Sequence, residues 1–260
     1  MEMLIEKLKR VEDTIEEYHS KDSISASGLK AIHNKSVYHY LNKEEFKSKA
    51  MNLGIATHIL LYEGLDVFSK QYFVLPKLDL RKKDDKLLKE SLINANQGKE
   101  SISNDEYKAI IGIYDNHLKN EVSVAYSKGE IEVSHYGQLH GVDVRVRPDC
   151  MGKDRSWISD VKTCQDASRN AFKRDIYKYA YHLQAVFYCR MLGINPKNFR
   201  FIACETQYPY QVQVYSMNDK LIEVGDVAWK KAFYYWELYK VKNIVTSFQG
   251  EFADDKSIIL

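Results

Sequence analysis

The chain has 260 residues, 45% of them hydrophobic and 28% charged, so it can bury a sizeable interior as one large domain, and its composition excludes collagen, a coiled coil and a disordered chain. A net charge of +2 gives no global basic field, so a polyanionic partner would have to meet basic residues gathered along one channel. Cys150, Cys164, Cys189 and Cys204 are scattered without a CxxC pair, which argues against structural zinc or an iron–sulfur cluster and reads as reduced thiols of an intracellular protein. In chain order, residues 1–20 carry helical periodicity through Met3, Leu4, Leu8, Val11 and Ile15. This segment lacks a signal-peptide core, and no apolar run approaches the ~20 residues that cross a bilayer. The expectation is a soluble, cytoplasmic protein with no membrane partner. Ser25 or Ser27 is placed to cap a helix over residues 27–42, and a third helix over 49–63 ends at Gly64. Residues 68–76 read as a short edge strand, and the charge run within 77–106 reads as a solvated helix face. Ser103 or Asn104 then starts a helix reaching residue 120.

Beyond residue 128 the pattern changes to period two. Residues 129–135, 139–147 and 157–163 read as three strands of an antiparallel meander, with Tyr136-Gly137-Gln138 as the first turn. A helix over 167–192, a strand over 199–206, a turn, a strand over 212–217 and a last helix over 219–241 follow. The implied fold class is α/β, with a mixed central sheet of about five strands flanked by helices. The expected organisation is a single domain over 1–260. It comprises a mainly helical N-terminal part (1–128), a catalytic sheet and helix (129–215), and a C-terminal helix and tail (216–260).

The chemistry concentrates in Arg147-Pro148-Asp149 and, after ten intervening residues, Asp160-Val161-Lys162. Residues i and i+2 of a strand share a face, so Asp160 and Lys162 project together while Val161 turns into the core. Asp149 ends the preceding strand, where a hairpin brings its carboxylate beside Asp160. Two neighbouring carboxylates repel unless a divalent cation lies between them. A cation there, Mg²⁺ or Mn²⁺, suits phosphodiester hydrolysis, with the lysine orienting water or meeting the charge that develops on the phosphoryl group. Taken alone, an Asp-x-Lys strand is an ordinary surface pair. Gln184 and Tyr188, four apart on one helical face, read either as a core helix with a rim glutamine or as hydrogen-bond partners for a phosphate or the attacking water. His58 sits in an apolar helix, as a satisfied core histidine or as a further metal ligand. Lys173, Arg174 and Lys178 read equally as DNA-backbone contacts or as a solvated face.

Gly54-x-x-x-His58, Arg147-Pro-Asp149, Asp160-Val-Lys162-Thr163 and Gln184-x-x-x-Tyr188 follow the order seen in RecB-like nuclease domains. The set resembles the RecE-type exonuclease VIII group of phages and prophages. The segments SISASGLKAI, LGIATHILLYEG, LDLRKKDDK, GKESISNDEYKAI and HLQAVFY are also similar to that group, and the likeness runs from about residue 23 to 215. It implies a PD-(D/E)XK, restriction-endonuclease-like core and a Mg²⁺-dependent exonuclease that digests linear double-stranded DNA 5′ to 3′. Such an enzyme leaves 3′ tails for a RecT-like single-strand annealing protein and works as a homo-oligomer, a ring-shaped trimer or tetramer. By the same resemblance His58, Asp149, Asp160 and the Val161 carbonyl hold metal, and Lys162 is the catalytic lysine. Gln184 and Tyr188 lie beside the scissile phosphate, and Glu132 matches an acidic position ahead of the Arg-Pro-Asp strand, with Glu130 equally suitable. The chain departs from the group at Asn34-Lys35-Ser36-Val37, where a proline is common. Two other readings use the same residues: a restriction- or repair-type endonuclease of the same fold, and a non-catalytic DNA-binding scaffold. Intact Asp149, Asp160 and Lys162 argue against the second.

Overall fold

The computed structural model describes residues 6–44, 49–248 and 251–252. Strand β1 (Glu6–Val11) and helix α1 (Ile15–Ser20) occupy the first segment, so the single helix expected over residues 1–20 is corrected. Leu8 alternates with charged neighbours and packs against the core, and pairing with a hairpin strand overrides the helical period. Met3 and Leu4 lie outside the described residues. Thr14 and Glu17 cap α1 reciprocally. The next expected helix is two: α2 (Ala26–Asn34), capped by Ser25, and α3 (Val37–Leu41), capped by Ser36. Helix α4 (Lys49–Glu63) ends at Gly64, whose φ of +87° is glycine territory. Helix α5 (Leu65–Gln71) takes the first half of the expected edge strand, leaving β2 (Tyr72–Leu75). Helix α6 (Lys83–Ala95) buries no side chain, as a solvated element would. Strand β3 (Glu100–Ser103) pairs in parallel with β2 and runs into α7 (Asn104–Lys119), where Ser103 and Glu106 form a capping box, and then α8 (Glu121–Ala125).

The expected meander is one long, bent hairpin shared between two sheets. Strands β4 (Glu130–Ile131) and β5 (Ser134–Leu139) descend, and β6 (Val142–Val146) and β7 (Cys150–Met151) return in the same register. The turn is His140-Gly141, both at positive φ, rather than Tyr136-Gly137-Gln138. Gly137 is mid-strand, where an added Cβ would stand 3.2 Å from the Glu6 carbonyl oxygen of β1. The regular ladder is interrupted at Glu132 and Pro148: proline has no N–H to give, and Glu132 adopts φ +49° while still donating its N–H to the Asp149 carbonyl at 3.0 Å. Below this break the hairpin joins the central sheet; above it, the hairpin forms a three-stranded sheet in the order β1-β5-β6.

Strand β8 (Ile158–Cys164), helices α9 (Arg169–Lys178) and α10 (Tyr181–Leu192), strands β9 (Phe199–Glu205) and β10 (Val212–Tyr215), and helix α11 (Asp219–Lys242) complete the core. The short pair β11 (Thr246–Ser247) and β12 (Glu251–Phe252) ends the described chain. The helix expected over 167–192 breaks at Ala180, which is left-handed with φ +51°. Among the described residues the central sheet is five-stranded and mixed, in the order β10-β9-β8-β7-β4, with β8 and β9 parallel. Side chains alternate across it: Phe199, Phe201 and Ala203 of β9 face α10 and α11, while Ile202 and Cys204 face the α4–α7 side. Both faces are therefore covered, as a buried sheet requires. The four cysteines are free and buried. Among the described residues no helix is long and apolar enough to cross a membrane.

Helix α11 reaches α10 closely through Gly225. A Cβ there would stand 2.6 Å from Val186 Cγ2 and 2.7 Å from the His182 carbonyl oxygen. Gly225→Ala is therefore expected to lower stability by about 1–3 kcal/mol through overpacking, despite alanine's higher helix propensity. Thermal unfolding of the purified variant checks this.

Candidate active site

The register of β7 on β8, with Cys150 opposite Ser159, puts Asp149 opposite Asp160 at the point where the bent hairpin leaves the sheet. Asp149 Oδ2 accepts the Val161 N–H at 3.0 Å. A strand residue's N–H and C=O leave on the same side, so the Val161 carbonyl also faces the Asp149 edge. The Val161 side chain is buried on the opposite face with Leu61, Tyr62 and Ile202. Asp160 is 1% exposed, and its Oδ2 lies against the Lys162 ammonium as an ion pair. Burial alone would push that ammonium's pKa down, but the Asp160 and Asp149 carboxylates outweigh it and hold the pKa above the ordinary lysine value. Asp149 is pushed up to about 6 by burial and by the charge of Asp160, against the opposing pull of His58, Lys162 and the Val161 N–H.

Three helices bring the remaining groups. From α10, Gln184 donates its amide N–H to Asp160 Oδ1 at 2.8 Å. Tyr188, one turn on, is buried, and burial together with the nearby Tyr18, Asp160 and Asp149 holds its hydroxyl pKa well above the ordinary tyrosine value. From α4, His58 reaches the hairpin, its ring edge-on to Tyr62 at 4.8 Å, while the Tyr62 hydroxyl bonds Ser159 Oγ at 3.1 Å and pins the helix to β8. Gly54 lies over the same strand, but a Cβ there would meet only Thr163 Oγ1 at 3.5 Å, so space does not require that glycine. Glu132 Oε1 is 3.6 Å from His58 Nε2, and its other oxygen accepts from Arg147 at 3.1 Å. Arg147 is in turn held by Asp13 and Ser134, so the Arg-Pro-Asp arginine aims Glu132. Glu130 points elsewhere, to Arg10 at 2.8 Å. Lys173, Arg174 and Lys178 are exposed on α9.

Among the described residues no three His, Cys, Asp or Glu side chains are already drawn into a metal-ready cluster. Asp160 is held by Lys162 and Gln184, and Glu132 by Arg147. The donor set nevertheless fits a hard divalent cation: carboxylate oxygens with one imidazole nitrogen. His58 Nε2 is buried and makes no hydrogen bond, with Glu132 Oε1 at 3.6 Å and Asp149 Oδ2 at 3.7 Å, beyond hydrogen-bond range. An unsatisfied nitrogen between two carboxylates that repel their neighbours is the arrangement a bound cation would relieve.

Two groups at this centre carried no sequence signal strong enough to single them out. Lys30 of α2 donates to Gln184 Oε1 at 2.9 Å, and the ring of Tyr181, the first residue of α10, lies 4.9 Å from the Lys162 ammonium. Helical spacing does put Lys30 one turn beyond buried Ala26 and beside buried Leu29, and a lysine on a core-facing stripe is the available clue.

A comparison with curated proteins finds no match. Among solved structures, a protein from Eubacterium rectale described as a "Putative exonuclease" shares the fold. The TM-score is 0.62 over 96% of this chain and 95% of that chain, at 16% sequence identity. Residues 25–239 match the family described as "PDDEXK-like domain of unknown function (DUF3799)", from the cap of α2 to the last turn of α11, and the chain belongs to that family.

Proposed function

We propose that the protein is a divalent-metal-dependent deoxyribonuclease that degrades linear double-stranded DNA from its ends. The observation that carries this reading is the meeting of Asp149, Asp160 and Lys162 where the bent hairpin leaves the central strand β8, with Gln184 bonded to Asp160. A cation held by Asp149, Asp160 and His58, with the Val161 carbonyl and Glu132 as further donors, would supply polarisation of a phosphate oxygen and activation of water. Lys162, anchored by Asp160, offers its positive charge where negative charge builds on the phosphoryl group. Gln184 fixes Asp160 in place, and the burial of Asp160, with Asp149 partly buried beside it, strengthens each of these interactions. Mg²⁺ is the proposed metal, with Mn²⁺ able to substitute.

The finer parts of the proposal draw on the motif order resembling RecE-type exonucleases. They are 5′-to-3′ digestion, 3′ tails handed to a RecT-like annealing protein, and a ring of three or four copies around the duplex. With a net charge of only +2, such a ring would have to turn its basic residues inward. The deciding experiment compares linear and closed circular duplex, labelled at the 5′ or 3′ end, with Mg²⁺ or with EDTA. Mg²⁺-dependent loss of the linear substrate alone, with early release of the 5′ label, is expected. Cutting of circles would replace the exonuclease with an endonuclease, and intact DNA in every lane would leave a non-catalytic binding protein.

A further inference from the structure

Lys30 enters the centre from α2, an element that contributes no acid to it. Its ammonium is hydrogen-bonded to Gln184 Oε1 and lies 5.6 Å from the centre of the Tyr181 ring, the ring that also neighbours Lys162. Two ammonium groups thus converge on one aromatic ring. Lys162 has Asp160 as its counter-charge; among the described residues no carboxylate forms an ion pair with Lys30, and Asp160 and Asp149 act on it only at longer range. Burial and the nearby Lys162 charge lower its pKa to about 8. A cation in such a place is a standing cost to folding, and an uncharged side chain of the same length would be cheaper.

What Lys30 achieves there is visible at Gln184. A lysine ammonium only donates and an ionised aspartate only accepts, so the amide between them has one orientation: carbonyl to Lys30, N–H to Asp160. Asp160 alone already selects the N–H end of the amide; Lys30 anchors the carbonyl end, and without it Gln184 is held at one end only and can swing about its bond to Asp160. We propose that Lys30 is a positioning residue of the active site, orienting Gln184 against Asp160 while its uncompensated charge faces the phosphates of bound DNA. This inference rests on the nuclease reading, and its test separates the two.

Lys30→Met keeps the apolar stem and removes the charge; Lys30→Arg keeps a donor-only cation. The measurements are steady-state kinetics on linear duplex with Mg²⁺, and thermal unfolding in EDTA. Lys30→Met is expected to melt at or above the parental temperature, yet to lose roughly 10- to 100-fold in kcat, as supporting residues around metal centres do. KM should change less than about threefold, since the lost orientation acts on the chemical step, and Lys30→Arg should recover part of kcat. A merely structural lysine would give the opposite pairing, a lower melting temperature with activity falling in step, and that result overturns the proposal. So does a Lys30→Met kcat within about threefold of the parent. If the parental protein itself leaves DNA intact, the nuclease reading fails first. The melting temperature then still decides for Lys30: a gain on removing the charge supports a functional cation, and a loss refutes it.

Discussion

Replacing Lys162 with alanine is expected to stop DNA hydrolysis while duplex binding persists. The partly buried ammonium is paired with Asp160 and lies beside the Tyr181 ring, so its position is set before any substrate arrives. A preorganised donor of this kind acts on charge that appears only as the phosphodiester bond breaks, and losing one commonly costs on the order of 10²–10³-fold in kcat. Binding depends instead on many phosphate contacts spread over the surface, each small and salt-dependent. The variant should therefore retain affinity for linear duplex in a gel-shift assay with Ca²⁺ while its single-turnover rate with Mg²⁺ collapses. A second consequence follows from electrostatics. Without Lys162, Asp149 and Asp160 lose the nearest cation that offsets their repulsion, so the variant should melt lower than the parent in EDTA and regain ground when a divalent cation is added. Lys162→Met, which keeps the stem, should behave the same way. A rate within about tenfold of the parent would remove Lys162 from the reaction.

Much of this centre was legible in the sequence because short-range geometry fixes it. The two-residue period of β8 puts Asp160 and Lys162 on one face whatever surrounds them, and a single hairpin brings Asp149 opposite. The five-stranded mixed sheet followed from the same alternation together with the long helices between strands. The misreadings share another origin: they fall where a distant partner decides. In residues 6–11 the apolar Leu8 and Val11 stand three apart, a helical spacing, and only the waiting edge of β5 selects the strand, with a register shift between Glu6 and Lys9. Gly137 looked like a turn because a glycine between strands usually is one, whereas here it lets β1 approach, and His140-Gly141 turns the chain. The division of the hairpin between two sheets turns on Pro148, whose missing N–H was readable, and on Glu132, whose left-handed backbone was not. Lys30 stands 154 positions from the glutamine it touches, and no local pattern announces such a contact.

Asp149→Asn is expected to make the metal-free protein more stable at neutral pH and to abolish its response to divalent cations. Folded Asp149 holds its proton up to about pH 6, because burial and the Asp160 charge both penalise its ionised form. An unfolded aspartate releases its proton near pH ~4. The folded state thus binds this proton more tightly, so the group's contribution is fully present below about pH 4 and is lost as pH climbs through about 6. At pH 7.5 the ionised pair withholds roughly 1–3 kcal/mol from the metal-free fold. Asparagine carries no charge to repel Asp160, and its side-chain oxygen can still accept the Val161 N–H. Parental protein in EDTA should accordingly melt progressively lower between pH 5 and 7.5, while Asp149→Asn stays nearly flat and melts higher at the upper end. Millimolar Mg²⁺ or Mn²⁺ should raise the parental melting temperature at pH 7.5, since a ligand that binds only the folded state stabilises it, and should leave the variant unmoved and inactive. Parallel pH profiles for the two proteins, or an equal gain with Mn²⁺, would show that the strain between the two carboxylates is not what a cation relieves, and the metal centre would have to be sought away from Asp149.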